Sequence, residues 1–344
     1  MKKRVYIAYT GGTIGMGRMS EGYAPLPGYL KKQMQLIQKI KCDEIPDYVI
    51  QEYDPLLDSA NMTPENWTAI ARDIRARYDY YDGFVVLHGT DTMSYTASAL
   101  AFMLGGIEKP VIVTGSQIPL CEVRNDARDN LITALIIAGN YAIPEVCLCF
   151  GSKLLRGCRS VKVSADHFDA FDSPNFPPLA TIGTEIRINW NLVLPKKKPL
   201  EHVTNLGHYP IGALRLFPGI SAEVVRNILQ PPIKGLVLET YGVGNGPSND
   251  LELLDTLGQA VQRGVVIVNC TQCLQGKVNL GGYATGSAFA RVGVISGFDM
   301  TTEAALTKLY YLFAKGLSAD QVKKEMQRDL CGEITLNDHS KHII

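Results

Sequence analysis

A two-domain α/β fold is predicted by three observations: apolar runs of the doubly covered strand type, amphipathic stretches alternating with them, and length. The chain has 344 residues, and chains beyond about 250–300 residues divide into more than one core. The runs at residues 5–9, 83–87, 111–114, 145–150, 234–241 and 264–270 are near-continuously apolar, as strands buried on both faces are. Hydrophobic residues make up 46% and charged residues 20%, a globular composition rather than a disordered one.

The first run follows Met1-Lys2-Lys3-Arg4. A basic start before an apolar stretch has the outline of a secretory leader. Gly11-Gly12 breaks the stretch and no small-residue cleavage site follows, so a leader is rejected. Thr63-Pro64-Glu65 opens a helix, with Thr as N-cap, Pro at the first helical position and a carboxylate in the first turn. Its apolar positions Trp67, Ile70 and Ile74 recur at helical spacing. Residues 92–104 and 127–139 read as further helices. Cys147 and Cys149 alternate on a strand and face one core.

Residues 187–209 interrupt the rhythm. Leu194-Pro195-Lys196-Lys197-Lys198-Pro199 is basic and flanked by proline, and its lysines read as a solvated surface run. The first domain is therefore assigned to residues 1–190, a linker to 191–209 and the second domain to 210–344. Ile211 to Phe217 opens the second βα series. Pro218-Gly219-Ile220 then turns into a helix capped by Ser221. The tail Asn337 to Ile344 is expected to fray.

Formal net charge is zero, which argues against nucleic acid or an anionic membrane as partner. No apolar run reaches the length of a membrane span. The eight cysteines form no regular framework, so reduced thiols and a cytoplasmic location are expected. Cys270 and Cys273 stand two apart after a strand, but a redox pair wants a helix N-terminus and an intervening proline. Thr271-Gln272 intervenes instead, and packed or lightly exposed thiols fit better. The histidines at 88, 167, 202, 208, 339 and 342 lack ligand spacing, so no metal site is expected. Gly11 to Gly17 and Gly242 to Pro247 match neither the dinucleotide nor the phosphate-loop fingerprint, and no serine elbow is present.

Two threonine turns carry the most information. Thr10-Gly11-Gly12-Thr13-Ile14-Gly15 follows the first run, and His88-Gly89-Thr90-Asp91-Thr92 follows the second. The crevice beyond the carboxyl ends of α/β strands is where ligands bind. Each turn taken alone reads as a tight turn with a helix cap before it reads as a catalytic site. Together they offer hydroxyl nucleophiles, which need a neighbouring unprotonated base. Lys162, in Arg159-Ser160-Val161-Lys162-Val163-Ser164, is the candidate. It alternates with Val161 and Val163, and a solvent-facing lysine on an edge strand is the commoner outcome for such a pattern. Asp91 could orient Lys162, giving a Thr-Lys-Asp relay with the logic of Ser-His-Asp. Tyr23 lies on a loop bounded by Gly11, Gly12, Gly15, Gly17, Gly22 and Gly28, which has the freedom of a closing lid. Tyr23 could meet Thr13 there, or could pack as a surface aromatic.

Five segments resemble the bacterial-type L-asparaginases, closest to their cytoplasmic type I branch. They are Thr10-Gly-Gly-Thr-Ile-Gly, His88-Gly-Thr-Asp-Thr-Met, Val113-Thr-Gly-Ser-Gln-Ile-Pro, Phe171-Asp-Ser-Pro-Asn and Tyr241-Gly-Val-Gly-Asn. The resemblance runs from near residue 4 to about residue 335. It implies two flavodoxin-like domains, with a larger N-terminal sheet and a smaller C-terminal parallel sheet. It also implies a homotetramer of intimate dimers that hydrolyses L-asparagine to L-aspartate and ammonia without metal or cofactor. By motif position, Thr13 resembles the primary nucleophile and Tyr23 its lid partner. Thr90, Asp91 and Lys162 resemble the second catalytic group. Asp58 and Ser59 resemble the grip on the α-amino and carboxylate ends of the substrate. Gly89 and Ser116 would offer backbone contacts to the carboxamide, and Asn245 resembles a residue lent across the intimate dimer.

The chain departs from this pattern in two places. Enterobacterial type I members bind asparagine at a second, activating site, with an arginine just ahead of the Tyr-Gly-Val-Gly-Asn segment and a threonine before the catalytic lysine. Here those positions hold Glu239 and Val161, while Thr271-Gln272-Cys273 is kept. A carboxylate in place of a guanidinium would repel the effector's carboxylate, so weak or absent activation is expected. Three other readings remain. The amidase subunit of an archaeal-type glutamyl-tRNA amidotransferase carries an added N-terminal domain, which a first strand at residue 4 argues against. Lysophospholipase activity belongs to larger relatives with repeat extensions. A catalytically silent sensor would bind ligand without releasing ammonia.

Overall fold

The fold comes from a computed structural model that describes residues 2–20, 22–38, 44–197, 202–281 and 284–335. Lys198 and Pro199 of the basic run, and the tail from Asn337, lie outside the described residues. The chain forms two compact units, Met1–Asn205 and Leu206–Ile344.

The first unit is built on an eight-stranded sheet. In chain order its elements begin with β1 (Arg4–Gly11), the hairpin β2 (Met16–Met19) and β3 (Gly22–Pro25), α1 (Tyr29–Gln38) and β4 (Asp47–Leu57). They continue with α2 (Pro64–Ala76), β5 (Gly83–Leu87), α3 (Met93–Met103), β6 (Val111–Thr114), α4 (Ala127–Asn140) and β7 (Val146–Phe150). The short strands β8 (Lys153–Arg156), β9 (Val161–Lys162), β10 (Phe171–Asp172), β11 (Ala180–Ile182) and β12 (Ile186–Ile188) close the unit. The sheet order is β12-β11-β8-β7-β6-β5-β1-β4. Strands β4, β1, β5, β6 and β7 run parallel, and β8, β11 and β12 extend the sheet antiparallel.

The apolar runs are the central strands, because only a strand covered on both faces needs apolar side chains at consecutive positions. Every residue of β5, β6 and β7 is buried. Cys147 and Cys149 join one core with Ile7, Tyr9, Val85, Leu87 and Leu131. Burial pushes the Cys149 thiol up to about 12, so it packs as an inert side chain. In α2, Trp67, Ile70 and Ile74 are buried as their spacing predicts. The Thr63 backbone N–H is held at 2.8 Å by Asn66 Oδ1, which fixes the helix start.

The stretch 187–209 does not leave the first unit at once. Arg156 and Glu145 form a buried pair at 2.6 Å, with side chains 5% and 2% exposed. The Leu194 N–H donates to Glu145 Oε1 at 2.6 Å, and Arg156 donates to the Leu192 carbonyl at 2.6 Å. Removing one partner of such a pair costs about 3–5 kcal/mol, because the other charge stays buried. Lys196 and Lys197 are exposed.

The second unit is a four-stranded parallel sheet in the order β13-β14-β15-β16. Its elements are β13 (Ile211–Arg215), α5 (Ala222–Ile228), β14 (Gly235–Thr240), α6 (Leu251–Gln262), β15 (Val266–Thr271), α7 (Ala284–Arg291), β16 (Ile295–Ser296), α8 (Thr302–Ala314) and α9 (Ala319–Met326). Ser221 caps α5, its hydroxyl accepting from Val224 N, and Asp250 and Thr301 cap α6 and α8 in the same way. After α9 the chain is pinned by the wholly buried Lys308–Glu333 pair at 2.6 Å. Among the described residues no helix is long and apolar enough to cross a membrane.

Candidate active site

Parallel strands deliver their following loops to one edge of the sheet. The loops after β1, β4, β5 and β6 therefore meet beyond the carboxyl ends of the central strands. Their approach is close enough to demand glycine. A Cβ on Gly12 would lie 2.4 Å from Gly89 N, and one on Gly89 would lie 2.3 Å from Ser59 Oγ. Gly12 also has a φ of +89°, which side chains resist. The two threonine turns and the Asp58-Ser59 turn are thus in direct contact. Thr10 and Thr92 are bracing residues: Thr10 donates to the Leu87 carbonyl at 2.8 Å and Thr92 to the Ser59 carbonyl at 2.7 Å. Asp58 caps its own turn by accepting from Ala60 N at 3.0 Å.

Thr90, Asp91 and Lys162 converge. Lys162, on the β9 strand paired antiparallel with β10, donates from Nζ to Thr90 Oγ1 at 2.9 Å and to Asp91 Oδ1 at 2.8 Å. Thr90 is buried, the Lys162 side chain is 23% exposed and that of Asp91 is 64% exposed. Lys162 therefore points inward while Val163 faces solvent. The irregular segment after it folds back as β10, whose Asp172 is paired with Lys153 at 2.9 Å.

The loop after β6 carries Ser116 and adds Asp126 and Gln117, to which the sequence reading gave no role. Asp126, just ahead of α4, accepts from Gln117 N at 2.9 Å and from Ile118 N at 3.0 Å. The Gln117 side chain reaches Thr90 Oγ1 at 3.3 Å and the carbonyls of Ala165 and His167 at 3.0 and 3.2 Å. Ser116 is fully buried, and its Oγ has no hydrogen-bond partner among the described residues. The available signal was position alone: Gln117 lies in the Thr-Gly-Ser-Gln segment at the same strand-end edge.

His88 is a support. It is fully buried, with Nδ1 at 2.7 Å from its neighbour's carbonyl at Gly89 and Nε2 at 2.8 Å from Thr96 Oγ1. Trp67 Nε1 donates to the same Thr96 oxygen at 3.0 Å. Thr96 thus accepts from Trp67 and donates to Nε2, leaving the proton on Nδ1 for the Gly89 carbonyl. Burial pushes the His88 imidazole down to about 4, so it is neutral at physiological pH.

Thr13 occupies a half-buried single turn, Thr13–Gly15, ahead of the β2–β3 hairpin. The glycine-bounded loop 11–28 is therefore partly ordered as strands, with Arg18 opposite Tyr23. Tyr23 is 45% exposed and donates to Glu122 at 2.8 Å, which holds its phenol above the ordinary value. The loop is also held at both ends: Gly15 lies against the Tyr9 hydroxyl, and Gly28 N donates to Glu52 Oε2 at 2.8 Å. Glu122 carried no pattern in the sequence that marked it.

In the second unit, the turn Tyr241 to Asn245 is closed by reciprocal backbone bonds of 2.8 Å. Asn245 Oδ1 accepts from Thr285 at 2.7 Å. Glu239 accepts from the Thr302 hydroxyl at 2.6 Å and faces Arg215 at 3.8 Å. Thr271 donates to the Gly242 carbonyl and accepts from Cys273 N at 3.0 Å. Cys270 is buried, and burial pushes its thiol up to about 12, while Cys273 is exposed. That asymmetry gives two separately placed thiols, as the intervening residues predict.

The Asparaginase, N-terminal family matches residues 4–194, and the Glutaminase/Asparaginase C-terminal domain matches residues 211–326. The chain is 54% identical to "L-asparaginase 1" of Escherichia coli (strain K12) over 337 residues, 98% of this chain and 99% of that protein. The crystal structure of L-asparaginase I from Vibrio cholerae superimposes with a TM-score of 0.90 at 52% identity, covering 98% and 100% of the two chains. A "60 kDa lysophospholipase" of Mus musculus is 45% identical, but the match spans only 63% of that longer protein. The matched domains, the whole-chain identity and the shared architecture place this chain in the asparaginase family.

Proposed function

We propose that the chain is an L-asparagine amidohydrolase, releasing L-aspartate and ammonia, and that it works in the cytoplasm as a homotetramer of intimate dimers without metal or cofactor. One observation carries the reading: Thr90, Lys162 and Asp91 meet within 2.9 Å at the edge where Gly12 and Gly89 touch. The relatives named L-asparaginase at whole-chain coverage support it.

In this reading the Thr13 hydroxyl attacks the side-chain amide carbon. Its proton passes to a neighbouring base, the amide nitrogen is protonated and leaves as ammonia, and water then hydrolyses the threonyl ester. The amide oxygen becomes negative during attack, and backbone N–H groups at a strand-end turn, such as that of Gly89, suit it as donors. Gly12 keeps that N–H approachable, since any Cβ there would cover it. Tyr23 serves as the lid partner of Thr13. Thr90, Lys162 and Asp91 form the second group, which handles the proton. Asp58 and Ser59 grip the charged ends of the substrate, Ser116 contacts the carboxamide, and Asn245 completes the site from a second copy. Selectivity follows from polar groups left unpaired by a wrong substrate.

Activation by asparagine at a second site is weak or absent in this reading. Glu239 is engaged by Thr302 and Arg215 and presents a carboxylate where an effector's carboxylate would need a cation. Nearby Glu303 is pushed up by burial and, to a lesser degree, by the Glu239 charge. The position ahead of Lys162 holds Val161, which carries no hydroxyl.

The test is ammonia release by the purified protein supplied with L-asparagine. Turnover is expected. A folded protein that binds asparagine and releases no ammonia would replace this reading with the sensor.

A further inference from the structure

The amide of Gln117 has only one orientation that satisfies its neighbours. One end faces the carbonyl oxygens of Ala165 and His167 at 3.0 and 3.2 Å. Carbonyl oxygens only accept, so that end is the Nε2 donor. The Oε1 end therefore faces Thr90 Oγ1 at 3.3 Å. Oε1 also only accepts, so the proton between them belongs to Thr90. The lone pairs of Thr90 are left to Lys162, which must donate at 2.9 Å, as it does to Asp91 at 2.8 Å.

Donation thus runs in one direction, from Lys162 to Thr90 to Gln117 to the two loop carbonyls. For Lys162 to take the Thr90 proton, the hydroxyl must leave Gln117 and turn toward the amine. The 3.3 Å contact is long for a hydroxyl donor, so this turn is an easy one. We propose that Gln117 is a positioning residue that holds the Thr90 proton away from Lys162, so that in the resting site the lysine donates to Thr90 and does not accept from it. The inference deepens the asparaginase reading and rests on it. Gln117 is fixed for this role by the Asp126 carboxylate on its backbone N–H. The charged group facing Lys162 is Asp91. Asp166 and His167, in the tethered loop, turn outward with side chains 86% and 78% exposed.

A simple loop tether would need only the two Nε2 donations, and two variants separate the roles. Gln117→Met removes both the acceptor at Thr90 and the donors to the loop. Gln117→Glu keeps an acceptor at Thr90 and loses the donors. The readout is the rate at which acetic anhydride labels Lys162 at neutral pH, followed by mass spectrometry of its peptide. With the Thr90 proton released, Gln117→Met should label about 3- to 10-fold faster than wild type. Gln117→Glu should label no faster than wild type. Equal acceleration in both variants would reduce Gln117 to a tether and overturn the proposal, and so would an unchanged rate in Gln117→Met. Gln117→Asn, which withdraws both contacts by one methylene, replaces the Met variant if that variant lacks a wild-type melting transition.

Turnover gives a second readout. Gln117→Met should leave KM within about 3-fold of wild type, because the contact to Thr90 acts on the relay after binding. Wild-type ammonia release is measured on the same preparation. Its absence would sink the asparaginase reading, while the labelling comparison would still decide the role of Gln117.

Discussion

Lys162 stands 72 residues beyond Thr90 in the chain, yet its Nζ lies 2.9 Å from the Thr90 hydroxyl. The short β9–β10 hairpin makes the juncture by carrying the lysine back over the strand-end edge. The ion pair to Asp91 is partly exposed, and exposed pairs contribute about 1 kcal/mol or less. Losing the lysine should therefore harm chemistry far more than folding. Lys162→Met is expected to lower kcat by about 1,000-fold or more and to leave the melting temperature within a few degrees of wild type. Steady-state ammonia release and thermal unfolding check both halves. Near-normal turnover in the folded variant would remove Lys162 from the relay.

Tyr23 is held by Glu122, a residue from the loop after β6. If this contact sets the resting position of the lid, Glu122→Ala should lower kcat/KM by about 3- to 10-fold. Tyr23→Phe, which removes the hydroxyl itself, should lower it by about 100-fold, in the range of a lost proton-handling group. Steady-state kinetics on both variants checks the order. A Glu122→Ala enzyme indistinguishable from wild type would show that the latch has no kinetic role.

His88 gives the protein a defined acid sensitivity. In the folded chain burial holds the imidazole neutral down to about 4, against an ordinary value of 6.5. Above the ordinary value neither folded nor unfolded chain binds the proton, and the full contribution is present. As pH falls, the unfolded chain is protonated first, so stability drops from about 6.5 to about 4, by a total of about 3 kcal/mol, and levels off below. His88→Gln should be less stable at neutral pH, because the Gly89 carbonyl and Thr96 lose their partners. Its melting temperature should fall less steeply across that window. Parallel melting curves for the two proteins over the pH series would exclude His88 as the source.

Glu239 bears on regulation. With its carboxylate bonded to Thr302 and facing Arg215, rate against asparagine concentration is expected to be hyperbolic. Initial rates over a wide concentration range check this. A sigmoidal curve abolished by Glu239→Ala would reverse the regulatory reading and leave the catalytic one intact.

What the sequence disclosed follows from burial. Strands β5, β6 and β7 are covered on both faces, so their apolar runs mark them almost to the residue. The edge strand β4 is longer than any of these but has one neighbour and half-exposed sides, so no apolar run announced it. The strands β8, β11 and β12 are too short to show a period. At the site, the meeting of Thr90, Asp91 and Lys162 was legible because the proposed relay requires the three side chains together. Gln117, Glu122 and His88 were not, since their roles depend on contacts across loops that no spacing encodes.

The central claim is that Thr13 makes the first attack while Thr90, Lys162 and Asp91 serve it. The most direct measurement is kcat for ammonia release from L-asparagine by Thr13→Ala, with folding verified by thermal unfolding. Thr13 lies half-buried at a strand-end turn rather than in the core, so the variant should fold. Its kcat should be lower by about 1,000-fold or more, as for loss of a covalent nucleophile. Near-normal turnover by the folded variant would contradict the account and move the attacking hydroxyl to Thr90.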